Sequence, residues 1–186
     1  MAQKPPPLPG DILNRVILVA SVDGRLLLIT LGALAVMFAM GGNIAGALVC
    51  VLAAGTGAME LHGASLLGGG DSRGIGWLVR AQLLLMALIL FFTGWQLTHY
   101  DPAFYAAHSD EMFERLPGWY KKMLDNNGMT RADLPMLLKA GYMMFFTTVG
   151  CLTIAYQGLL ALYYHRRRIP IEIALGEAED AEEHAE

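Results

Sequence analysis

Charged residues are scarce in this chain: Asp, Glu, Lys and Arg make up 16% of its 186 residues, against about 25% in an ordinary globular domain. Those present sit mostly outside the apolar stretches, so whole segments have no polar face to give to water, which argues against a soluble fold. Cysteine is nearly absent. Cys50 and Cys151 form no Cys-x-x-Cys pair, which excludes thioredoxin-like chemistry, and inside apolar segments they behave as small hydrophobes. No Walker loop, Gly-x-Ser-x-Gly elbow or zinc signature occurs. No stretch alternates apolar and polar residues as a half-buried strand would. The basic residues form no stripe, which argues against a nucleic-acid partner. Prolines 5, 6, 7 and 9 do not fit the passage from a basic segment to an apolar one that a cleavable signal requires.

What the sequence has in abundance is apolar length. Hydrophobic residues make up 55% of the chain, and the mean hydropathy is +0.43. They gather in four runs, roughly 26–40, 44–61, 75–97 and 140–164. A helix needs about 20 mostly apolar residues to cross the hydrocarbon core, and the last two runs meet that length outright. The expected fold is all-α: an integral membrane four-helix bundle with an N-terminal interfacial helix and a helical extracytoplasmic loop. Lipid bilayer is the first partner implied, with a homo-oligomer or larger membrane complex as a further expectation.

The domain reading follows from the breaks. Residues 1–24 read as a proline-rich arm and an interfacial helix capped by Asp11, because Asp23-Gly24-Arg25 interrupts the apolar run and charges at mid-bilayer are costly. Residues 25–165 form the membrane domain, with spans near 25–41, 44–67, 75–98 and 139–165. Gly41-Gly42-Asn43 and the Gly68–Ser72 stretch are tight connections between antiparallel helices. Residues 99–138 form the outer loop, with helix starts at Ser109 and near Asp133, an interruption at Pro117 and a stop at Asp125–Gly128. That stop lacks the Gly and Glu placement of a calcium loop. Residues 166–186 read as a basic anchor followed by a solvated acidic tail. Seven acids follow Pro170, and without them the chain is mildly basic.

Lys and Arg favour the cytoplasmic side of membrane proteins. With four spans both termini share a side, and that side carries Lys4, Arg15, Arg25, Arg73, Arg80 and the membrane anchors Arg166, Arg167 and Arg168. A bacterial-type inner membrane with both termini cytoplasmic is therefore expected. Tyr163 and Tyr164 mark the inner headgroup level, Trp95 and Tyr100 the outer one.

A candidate intramembrane polar cluster comprises Glu60, Arg80, Gln82 and Gln157. The second and third helices are antiparallel, so Glu60 and Arg80 fall at similar depth and are expected to pair or to share a water. One reading makes Glu60 a proton or cation site; the other makes the pair a structural staple with Arg80 snorkelling to the headgroups. Gln82 and Gln157 suit hydrogen bonding between helices. Gly46, Cys50, Ala53, Ala54 and Gly57 follow small-x3-small spacing and are the helix-packing candidates. His62, His99 and His165 lie near span ends; only His62 and His165 fall on one side and could face each other across a haem, and no motif surrounds either. No cofactor, no metal and no catalytic residue is expected.

Three functions compete. The first is an accessory, scaffold or complex-subunit protein without its own catalysis. The second is an oligomeric small transporter or channel using Glu60 with Arg80. The third is a membrane-bound enzyme or electron-transfer subunit.

Overall fold

The computed structural model describes residues 9–128 and 130–183. Residues 1–8 of the proline-rich arm and residues 184–186 at the end of the acidic tail lie outside them. Among the described residues every regular element is helical. Four helices are long and apolar enough to cross a membrane. In chain order the α-helices are α1 (Pro9–Met40), α2 (Ile44–Gly68), α3 (Arg73–Thr98), α4 (Pro102–Ala107), α5 (Ser109–Arg115), α6 (Gly118–Asn126), α7 (Leu134–Arg166) and α8 (Arg168–Glu183), with a 3-10 turn at Arg131–Asp133 between α6 and α7.

The turns follow from their residues. Gly42 and Gly70 adopt φ of +75° and +84°, a region that favours glycine. Asn43 accepts the Gly46 amide at 2.9 Å and caps α2. Asp71 Oδ1 accepts the Arg73 amide at 2.9 Å at the start of α3. Pro117 precedes α6, and Gly128, at φ +68°, follows it.

The chain divides into two compact units. One runs to Leu90 and resumes at Thr153; the other is Phe91–Leu152. In the second unit, Tyr142 donates to the Gln96 carbonyl at 3.2 Å, and Phe92 and Phe146 meet edge to face. Leu116, Tyr120, Leu134, Leu138 and Phe145 line an apolar cavity of 390 Å³ there.

The first unit departs from the sequence reading in two places. Helix α1 does not break at Asp23-Gly24-Arg25 but runs on as one helix of 32 residues, so there is no separate N-terminal interfacial helix ending before residue 25. A helical glycine costs only about 1 kcal/mol relative to alanine, and here contacts outweigh it. Gly24 lies against Gly57 of α2: a Cβ on Gly24 would stand 2.8 Å from the Gly57 carbonyl oxygen, and one on Gly57 would stand 2.6 Å from that of Gly24. Gly63 and Gly74 bring α2 and α3 together in the same way, at 2.9 and 2.5 Å. The packing face of α2 comprises Gly46, Cys50, Ala53, Ala54 and Gly57, all buried.

The second departure is the tail. Residues from Arg168 to Glu183 form a helix rather than an irregular solvated end. Pro170 cannot continue α7, because its ring would meet the Arg166 carbonyl four residues back, yet it suits the first turn of a new helix. Ile171, Ala174 and Leu175 then share one face at helical spacing and are buried. Ile171 and Leu175 join Val16 and Ala20 of α1, Leu67 of α2, Ile75 and Leu78 of α3 and Tyr164 of α7 in one apolar core. In the second unit, α7 begins at Leu134, next to the helix start expected near Asp133.

Candidate functional site: a buried acid pair

Asp23 and Glu60 come together because the Gly41–Asn43 turn makes α1 and α2 antiparallel. Asp23 stands 17 residues before the end of α1, and Glu60 stands 16 residues after the start of α2. At equal distance from the turn they share a level, and the Gly24–Gly57 contact beside them removes the side-chain bulk that would hold the helices apart.

Gln82 of α3 bridges the pair. Its Nε2 donates to Glu60 Oε1 in a short hydrogen bond and to Asp23 Oδ2 at 3.4 Å. Tyr156 of α7 donates its hydroxyl to Asp23 Oδ1 at 3.0 Å. Tyr164, eight residues further along α7, has its hydroxyl within electrostatic reach of both carboxyls. Glu60, Gln82 and Tyr164 are each 0% exposed and Asp23 is 8% exposed.

No described Lys, Arg or His forms an ion pair with either carboxyl. Two carboxyls within reach of one amide nitrogen, away from water, cannot both carry a bare negative charge. A proton or a small cation shared by the pair would relieve this cost. Glu60 Oε2, Gln82 Oε1 and the Tyr164 hydroxyl are buried without a hydrogen-bond partner. These unmatched oxygens supply the acceptor capacity that a proton, a water or a cation would fill. Among the described residues, no group of three or more His, Cys, Asp or Glu side chains is arranged to hold a metal ion.

The expected Glu60–Arg80 pairing does not form. Arg80 is exposed and makes no ion pair with any described residue, while Glu60 is enclosed. The reason is rotation about the helix axis: residues 80 and 82 are two apart on α3 and so point to nearly opposite sides. Gln82 faces the acid pair and Arg80 faces away. Gln157 is buried on α7, but its Oε1 has no partner, and no hydrogen bond joins it to Glu60 or Gln82. Tyr164 is not a headgroup anchor, since it is fully enclosed. Of the arginine anchors, Arg166 is exposed, Arg167 lies over the Tyr163 ring at 5.6 Å, and Arg168 bonds Glu172 at 2.8 Å.

Asp23, Tyr156 and Tyr164 do not belong to the polar cluster expected from sequence, where Asp23 reads as a helix break and Tyr164 as a headgroup marker. Asp23 was legible in principle, because the depth argument that aligns α2 with α3 across their turn also aligns α1 with α2 across Gly41–Asn43. Beside Gly24, however, its charge reads as the end of a helix.

No family model matches the chain, and no curated protein or solved structure is similar enough to match it. The functional reading therefore rests on the site.

Proposed function

We propose that this chain is a small multi-pass membrane protein that exchanges protons or small monovalent cations at the Asp23–Glu60 pair, as the coupling site of a transporter or channel. The observation that carries the reading is the enclosed Glu60 carboxyl, with Oε2 unpartnered beside a second acid and no base among the described residues to neutralise either. Ionisable groups at such depth are expensive, and they recur on ion and proton pathways. Asp23 is the second carboxyl, Gln82 holds the two at one spacing, and the Tyr156 hydroxyl orients Asp23. The role given to Arg80 in the sequence reading passes to Asp23. In this proposal the protein lies in a bacterial-type inner membrane with both termini cytoplasmic, and the α4–α6 segment is extracytoplasmic. The clustering of Arg15, Arg25, Arg73 and Arg166–Arg168 supports that sidedness.

The test is flux in liposomes containing the purified full chain and a trapped pH dye, under imposed proton, sodium and potassium gradients. Glu60→Gln keeps the side-chain shape and can still accept from Gln82, so it should fold like the parent and lose flux. Gln82→Leu should lower flux and also stability. Flux that persists in folded Glu60→Gln, or a parent protein that moves none of the three ions, refutes the proposal.

A second reading is the accessory or complex-subunit role. Trp119 and Met123, one turn apart on α6 and outside the four candidate spans, are exposed large apolar residues, which favours a protein partner there. Trp119→Ala should then release a partner that co-purifies with the parent in mild detergent.

A further inference from the structure

A second polar site lies in the same unit, on the outer side of α3. Arg73, Trp77 and Arg80 recur along α3 at spacings of four and three, so they share one helix face. His165 from the end of α7, with Arg168 and Glu172 from α8, closes the other side of a cavity of 470 Å³. Gly76 contributes to the wall, and a Cβ there would meet nothing within 4 Å, so the space beside it is open. The cavity thus gathers three arginines and a histidine around one acid.

The charges are unequally committed. Arg73 pairs with Asp71 at 2.8 Å, and Arg168 pairs with Glu172 at 2.8 Å. Arg80 has no ion pair with any described residue, although it lines the cavity. A guanidinium presents a planar fork of donors that matches phosphate oxygens two at a time. Basic pockets between membrane helices on the cytoplasmic side suit anionic headgroups. Trp77 adds an indole, a ring that favours the headgroup level.

We infer that this cavity binds a phosphate group, with Arg80 as the principal ligand, Arg73 and Arg168 as flanking ligands, and Glu172 as a carboxylate that occupies Arg168 until phosphate displaces it. The phosphate is carried by an anionic phospholipid or is free in solution. The inference does not depend on the acid pair, because Arg80 and Gln82 face opposite ways.

The experiment is lipid retention by the full chain, measured by native mass spectrometry after exposure to vesicles of phosphatidylglycerol and phosphatidylcholine in equal parts. The parent should retain phosphatidylglycerol in preference to phosphatidylcholine. Arg80→Gln should weaken that retention about tenfold, the loss of one charge-assisted contact. Glu172→Gln should strengthen it, because Arg168 is then released. Arg25→Gln, which removes an exposed cation elsewhere, should leave it unchanged. A parallel arm measures the thermal shift given by inorganic phosphate in lipid-free detergent. A shift lost in Arg80→Gln, without selective lipid retention, identifies free phosphate as the source. Selective retention that excess inorganic phosphate does not displace identifies the lipid. Neither selective retention nor a phosphate shift, or equal losses in Arg80→Gln and Arg25→Gln, overturns the inference, as does weaker binding by Glu172→Gln.

Discussion

The contact of Gly24 with Gly57 sets the spacing of the acid pair, and it can be tested with single methyl groups. Consider Gly57→Ala and Gly55→Ala, the same change two residues apart on α2. Both remove the same flexibility from the unfolded chain, so that contribution cancels in the comparison. Both also gain helix propensity, by about 0.8–1 kcal/mol. At Gly55 the added Cβ meets nothing within 4 Å; at Gly57 it would stand 2.6 Å from the Gly24 carbonyl oxygen and 3.0 Å from the Leu28 amide nitrogen. Neither neighbour is a side-chain end that can swing aside, so α1 and α2 must separate. Overpacking of this kind costs roughly 1–3 kcal/mol. Gly55→Ala should therefore be neutral or stabilising, and Gly57→Ala should fall roughly 1–3 kcal/mol below it. Gly24→Ala, at 2.8 Å from the Gly57 carbonyl oxygen, should behave like Gly57→Ala. The assay is reversible unfolding in mixed detergent micelles, followed by helical circular dichroism. Equal stability of Gly55→Ala and Gly57→Ala, within about 0.5 kcal/mol, would refute the reasoning, because the crossing would then not be a backbone-to-backbone contact.

Two further outcomes are expected. Ile171→Ala empties a fully enclosed position between α8 and α1 and should cost about 2–5 kcal/mol, exposing the chain after Arg168 to limited proteolysis, whereas a solvated tail would show no change. The Asp71 carboxyl, outside the spans, is held below its ordinary range mainly by the hydrogen bond from the Arg73 side chain; a lowered folded value means that the stabilisation is present above about pH 4 and fades as the pH falls through that value, so Asp71→Asn should remove this part of the acid sensitivity of unfolding.

Part of the site was visible in the chain and part was not. Glu60 stood out because a lone acid in an apolar run calls for a partner. Charge points to Arg80 as its partner, whereas the rotation of α3 offers Gln82. Asp23 is less legible, because a charge next to glycine ordinarily marks a boundary. Its helix continues because the glycine gains a close neighbour and the acid gains two hydrogen-bond donors, both supplied by distant parts of the chain. The acidic tail raised the same difficulty: its charges were conspicuous, while Ile171, Ala174 and Leu175 were too few to define a helix without a core to receive them.

By itself the sequence determined the material of the protein: four apolar runs that read as helices in a bilayer, because without the alternation of barrel strands only helices satisfy the backbone hydrogen bonds in lipid. Tertiary structure alone decided which polar groups meet. Helical spacing fixes which residues share a face, but which face turns inward depends on how the helices pack: Asp23 and Glu60 meet beside the Gly24–Gly57 contact, and the rotation of α3 turns Gln82 toward them and Arg80 away.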